Sequence, residues 1–325
     1  MKIGFDPLMH PSDKSYAMRL AELLARYAPE HEYTCDARRL SECDLYHGIR
    51  RLRSAEKGDP KQVVVLFDLN FLRHPAMWPL PERWLRVRAI RTGCLRADCV
   101  VTVRAEYKRE LTRRLRLDER KIRVLPSLGT LAEHESGSPC AEEKIRRKYM
   151  LPNRFLLMVG TNEPGHHQKT VIDGMIGAGG DFNLVICGRR TAYADQLLAY
   201  VRENHLATKV SFVYEPGPAD LEAIYGMACG LLYLPDKDVS PLPVVGGLRH
   251  GLPMLLSDVP LNRETAGDAA LYTNPASVDG VARSVRRLLH DDALRQELCA
   301  RASVRAGHYS APALARELEE LYAAL

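Results

Sequence analysis

The run Val63-Val-Val-Leu-Phe67 is apolar at every position, without the alternation that a half-exposed strand shows. A short run of this kind, rich in β-branched residues, reads as a strand buried on both faces, and such strands belong to parallel sheets flanked by helices. Similar runs surround it at Lys2–Phe5, Asp44–His47, Cys99–Val103 and Ile122–Leu125. Between the first two, Ser15–Tyr27 carries Met18, Leu20, Leu23 and Leu24 at helical spacing. The pattern then restarts with Phe155–Val159, Asn183–Cys187, Val210–Val213, Gly230–Leu234, Met254–Leu256 and Ala270–Tyr272. Helical stretches separate these: Lys169–Ile176, Ala192–Asn204, Pro218–Met227 and Ser277–Leu289. The alternation predicts an α/β chain of two doubly wound, Rossmann-like domains. The polar stretch Gly129–Ala141, rich in Gly, Ser, Pro and Glu, is the expected linker, which gives domains over 1–140 and 141–310. Such domains bind ligands beyond the carboxyl ends of their strands, so a cleft between the two is the expected site.

With 46% apolar and 27% charged residues, the chain reads as soluble and globular. No apolar run reaches the roughly 20 residues of a membrane span, and MKIGFDPLMH lacks a signal core, so the expected location is the cytoplasm. Eight cysteines lie scattered without a C-x-x-C pair, so neither a disulfide framework nor a metal site is expected. The net charge of +5 has a local source: fourteen Lys or Arg residues fall between Arg83 and Arg123. Two helical stretches carry them, Pro81–Arg96 and Arg104–Arg116, and in the first Trp84, Leu85, Val87 and Ile90 interleave with arginines. Two readings stand. One is a pair of ordinary domain helices with a solvated basic face. The other is a surface that meets anionic lipid headgroups or a pyrophosphate-linked acceptor, at the inner membrane face. Nucleic acid is not expected, because no binding motif accompanies the charge.

Specific strings narrow the fold further. Phe155-Leu-Leu-Met-Val-Gly-Thr-Asn-Glu-Pro164, Leu184-Val-Ile-Cys-Gly188, Val210-Ser-Phe-Val213 with Pro218–Gly230, Leu242-Pro-Val-Val245, Gly251-Leu-Pro253 and Ala266–Pro275 follow one another in order. Together they resemble the donor domain of GT-B glycosyltransferases, most closely the family-4 retaining enzymes, over roughly 155–310. In the first half, Asp68–Pro75 and Lys121–Pro126 are similar to segments of the family's acceptor domain. The resemblance implies GT-B architecture, with a final helix, Pro312–Leu325, crossing back to complete the first domain. It implies transfer of a sugar from a nucleotide-sugar donor to a glycan or lipid-linked acceptor, without a metal or other cofactor.

Departure of a nucleotide diphosphate leaves negative charge, which cations and the N–H groups of a helix N-terminus can stabilise. The resemblance places that helix near Pro243, with Ser240, Leu242 and Val244 as N–H donors. It implies donor contacts from Gly160, Thr161, Asn162, His166, Lys169, Gly188, Arg189, Val213, Ser240, Leu242, Pro243 and Gly246. Asp238 is the catalytic candidate, and His47, Phe67 and Asp68 fall on the acceptor side. The chain departs from the family pattern at several of these positions. The first of the paired carboxylates is the shorter Asp238, and the second falls on Gly246. The phosphate lysine falls on His166, with His167, Gln168 and Lys169 close by, and the histidine before Asp68 is Phe67. No glycine lies in the loop Asp238–Pro243, and the usual glycine-rich turn after the first strand is replaced by Asp13-Lys-Ser-Tyr16. Asp236-Lys-Asp238 has the D-x-D form of metal-dependent GT-A enzymes, against which the surrounding GT-B strings weigh. Two expectations follow: a retaining glycosyltransferase, or a non-catalytic protein of the same fold that serves a protein partner as scaffold.

Overall fold

The computed structural model describes residues 1–5, 11–49, 60–67, 69, 72, 80–126, 139–177, 182–237 and 240–325. The chain divides into two compact units, Met1–Leu131 with His308–Leu325, and Ala132–Gly307.

Among the described residues, unit 1 is built on six parallel strands: β1 (Lys2–Phe5), β2 (Glu32–Thr34), β3 (Leu45–Ile49), β4 (Lys61–Leu66), β5 (Cys99–Thr102) and β6 (Ile122–Val124). Their order is β2-β1-β3-β4-β5-β6. Successive side chains of a strand point to opposite faces, and β4 shows the consequence. Val63 and Val65 join one core cluster with Leu20 and Leu24 of α1 (Pro11–Tyr27). Val64 and Leu66 join the other, with Cys94 of α2 (Leu80–Arg96) and Leu111 of α3 (Ala105–Leu115). An all-apolar strand is therefore what this position requires. β2 is a strand the sequence reading lacks. It has three residues, pairs among the described residues with β1 alone and leaves its side chains partly exposed, so it carries no apolar run.

Unit 2 opens with α4 (Pro139–Tyr149). The expected linker is corrected at its end, since Pro139, Cys140 and Ala141 belong to this helix; 129–138 lie outside the described residues. The second sheet comprises β7 (Phe155–Val159), β8 (Asn183–Gly188), β9 (Val210–Tyr214), β10 (Gly230–Tyr233), β11 (Met254–Ser257) and β12 (Ala270–Thr273). All pair in parallel, in the order β12-β11-β10-β7-β8-β9. The chain thus winds one way from β7 through β8 to β9 and the other way from β10, which makes the β7/β10 junction the topological switch point. Helices α5 (Gln168–Gly177), α6 (Ala192–Glu203), α7 (Pro218–Met227), α8 (Leu242–Arg249), α9 (Pro260–Ala266), α10 (Val278–His290) and α11 (Asp292–Ala306) complete the unit. In α10, Ser277 Oγ caps Gly280 N at 3.1 Å, and Val281, Ala282, Val285 and Leu288 form its buried stripe. Burying each large aliphatic side chain there stabilises the unit by roughly 1.5–3 kcal/mol.

The last helix, α12 (Ala311–Ala323), belongs to unit 1. Its Leu314, Leu318, Leu321 and Tyr322 share the core cluster of Ile3, Phe5 and α1.

Candidate functional site

Where β7 ends, Gly160 takes φ +151°, a conformation that side chains disfavour, and a Cβ there would lie 2.9 Å from His166 Nδ1. His166 closes the 3-10 turn Pro164–His166 and is only 9% exposed. Burial holds its pKa below the usual histidine value, prevailing over the opposite pull of Glu163 and Asp236, so the ring is neutral at neutral pH. The ring meets Tyr233, the last residue of β10, edge-on with centroids 6.2 Å apart. Tyr233 Oη in turn donates to Ser240 O at 3.1 Å, and Ser240 Oγ accepts from Leu242 N at 3.2 Å where α8 begins. Tyr233 therefore ties His166 to the start of α8. Asp236 locks the turns after β7 and β10 to each other. Its N–H donates to Gly165 O at 2.9 Å and its carboxylate accepts from His167 Nε2. His167 stands in the left-handed region at φ 57°, with Nδ1 3.2 Å from Thr170 Oγ1.

Beside this junction the end of β8 is held by backbone contacts. A Cβ on Gly188 would lie 1.9 Å from Gly160 O, so the glycine is demanded by the approach of the neighbouring strand. Asn162 Nδ2 donates to Arg189 O at 2.8 Å, and Gln168 Nε2 donates to Thr161 O at 3.0 Å. Thr191 Oγ1 donates to Asn162 O at 2.5 Å while accepting from Ala194 N to cap α6. Arg189 itself is 75% exposed, with the exposed Glu215 3.8 Å away. Its neighbour Arg190 is engaged by Asp195 and lies over the Tyr214 ring.

Gly160, Thr161, Asn162, His166, Gly188, Arg189 and Ser240 thus sit at the C-terminal edge of the second sheet, with Leu242 and Pro243 in the first turn of α8. Three other expected donor residues are differently employed. Lys169 pairs with Asp173 at 2.9 Å and lies over the Tyr200 ring at 4.1 Å, packing α5 on α6. The Val213 side chain is buried in β9. At Gly246 the space for a side chain is filled, because a Cβ would lie 2.7 Å from Tyr225 Cζ. That ring stacks on His250 at 5.6 Å and 6°, and its hydroxyl donates to Pro243 O at 3.2 Å. In unit 1, His47 is fully buried in β3, hydrogen-bonded through Nδ1 to Tyr322 Oη at 2.6 Å, and burial pulls its pKa down to about 3. Phe67 packs against the same cluster. Asp68 and Asp238 lie outside the described residues. Two residues at the switch point escaped the sequence reading as site residues. Tyr233 appears there only as part of an apolar run, and Asp236 only as half of a D-x-D pattern.

The family model for glycosyl transferases group 1 matches residues 141–305. The chain belongs to this family. Among its relatives, the O-antigen chain mannosyltransferase RfbU of Salmonella typhimurium is 24% identical over 233 residues, covering 72% of this chain and 60% of that protein. The O-antigen chain mannosyltransferase B of Escherichia coli is 22% identical over 255 residues, covering 77% and 67%. This group 1 chain also shares its fold with Anabaena Alr3699/HepE, solved in complex with UDP: TM-score 0.71, 12% identity, all of both chains covered. The expected GT-B fold is thereby established for the group 1 chain.

Proposed function

We propose that the chain moves a hexose from a nucleotide-sugar donor to a glycan or lipid-linked acceptor, with retention at the anomeric carbon, and binds the donor at the C-terminal edge of the second sheet. The observation that carries this reading is the link through Tyr233, which joins His166 to the start of α8 at the switch point. Switch points of doubly wound sheets are where such folds take ligands. The donor diphosphate would lie over Gly160 and the His166 ring. The neutral imidazole offers one N–H, the first turn of α8 adds its partial positive charge, and the exposed Arg189 supplies the full charge. Asp238 is the candidate for contact with the sugar. The names of the relatives favour mannose as the sugar moved, and the UDP bound by HepE favours a nucleoside diphosphate as the leaving group.

A transfer assay tests the reading. The purified chain is incubated with labelled nucleotide sugars and a glycan or lipid-linked acceptor fraction, and label in the product is followed. Arg189→Ala is expected to lower the rate by roughly 10²–10³, the usual cost of one lost anion-stabilising group. A second reading, donor binding without transfer, draws on Tyr225 filling the space at Gly246 and on Asp173 holding Lys169. Donor binding with no product from any acceptor would support it over the first.

A further inference from the structure

The donor site proposed above lies in unit 2, and a separate cluster of metal-ligating side chains lies within unit 1. Glu30 and His31 close the turn between α1 and β2, and Glu319 reaches them from α12. A carboxylate oxygen from each glutamate and an imidazole nitrogen of His31 all fall within 4.8 Å of one another. His31 Nε2 is 3.9 Å from Glu30 Oε1, and the Met1 amino group stands at the other ring nitrogen, 3.5 Å from Nδ1. Ligand atoms around a tetrahedral ion are spaced by roughly 3.3 Å, so small side-chain rotations close this set on one ion. The frame that carries the cluster is fixed on both sides. Leu318, Leu321 and Tyr322 of α12 are buried in the core, which sets the direction of Glu319. Tyr33 Oη donates to Ala28 O at 2.8 Å across the turn, and the His31 ring meets the Tyr33 ring edge-on at 6.3 Å.

The two carboxyl groups come within hydrogen-bonding reach of each other, so like charges meet whenever both are ionised. Among the described residues no lysine or arginine pairs with either of them, because Lys2 and Arg39 go to Glu32, the first residue of β2. A shared proton would need the carboxyl groups alone. The imidazole nitrogen gathered at the same point completes a ligand set. The geometry points to a divalent transition-metal site made by Glu30, His31 and Glu319. Zinc matches one nitrogen and two carboxylate oxygens best, whereas magnesium and calcium prefer oxygen alone. Three protein ligands leave a fourth position for water. Glu319 stands on the helix that completes the unit 1 core, so the ion clamps α12 to the turn between α1 and β2. This role is structural and draws nothing from the donor chemistry.

Calorimetric titration of the full chain, first stripped with a chelator, tests this. Zinc and cobalt(II) are expected to bind, while magnesium and calcium give no heat at the same concentrations. Bound zinc should raise the melting temperature of unit 1. His31→Ala and Glu319→Gln should each weaken zinc binding by about tenfold to a hundredfold or more, since losing even an outer-shell partner of a metal costs that much. Glu32→Gln, next to the site but engaged by Lys2 and Arg39, should bind as the parent does. Without the ion, Glu319→Gln should melt no lower than the parent, because it removes the contact between like charges; should it fail to fold, His31→Ala carries the test. No zinc binding by the parent, parent-like affinity in both His31→Ala and Glu319→Gln, or an equal loss in Glu32→Gln would overturn the inference. So would magnesium binding as tightly as zinc, since the imidazole would then take no part.

Discussion

A buried histidine with a neutral ring makes unit 1 sensitive to acid. Among the described residues His47 has no charged partner, and burial pulls its pKa from 6.5 to about 3. The unfolded chain takes up a proton below about 6.5 while the folded chain resists until about 3. Stability is therefore lost as pH falls through that window, by about 1.4 kcal/mol per unit, and is unaffected above it. Urea unfolding on either side of pH 6.5 should show the loss in the parent and a smaller loss in His47→Gln. Glycines at the donor edge give a second prediction at this scale. Gly188→Ala forces a methyl group against Gly160 O, whereas Gly217 has nothing within 4 Å of the same position. Gly188→Ala should cost about 1–3 kcal/mol or more in urea unfolding, and Gly217→Ala well under 1. Gly246→Ala should resemble the former, because the Tyr225 ring is pinned between α8 and His250. Sequence alone reveals the missing carboxylate at Gly246. It does not reveal the ring that fills the space, because that contact joins two helices.

At the scale of elements, the strands most legible in the sequence are those buried on both faces. Val63–Leu66 and Phe155–Met158 are apolar throughout because helices cover each side. β2 was illegible for the opposite physical reason, being short, marginal and partly exposed. The candidate site was legible where it follows a strand end, as at Gly160, Gly188 and Arg189. It was illegible where it depends on contacts across the sheet. Asp236 reaches His167 from 69 positions away, and no spacing announces such a pair. Thr191 shows how elements are joined at this edge, since one hydroxyl caps α6 and holds the turn after β7. Thr191→Ala should cost about 1–2 kcal/mol of stability in urea unfolding, the range for a lost cap. It should also weaken nucleotide binding, read by isothermal titration, because Asn162 and the Arg189 backbone it braces would lose their register. Unchanged binding in a destabilised Thr191→Ala would confine this residue to the helix cap.

For the whole molecule, the two units have separate cores, and the last helix is part of the first. Leu314, Leu318, Leu321 and Tyr322 are buried with α1, and their removal would expose the core of Ile3 and Phe5. Deleting residues 308–325 is expected to abolish the cooperative unfolding of unit 1, followed by calorimetry, while unit 2 keeps its own transition. The group 1 match falls within unit 2, and the donor site proposed here lies there too. Its direct test is a thermal-shift titration of the intact chain against UDP, GDP, TDP, ADP and CMP, each with and without an attached sugar. A ligand at 100 times its Kd adds about 2.7 kcal/mol to the stability of the state it binds, enough for a clear shift. The account predicts a selective shift with one nucleoside diphosphate and its sugar conjugate, reduced in Arg189→Ala and His166→Ala. A well-folded sample that shifts with none of them would contradict it.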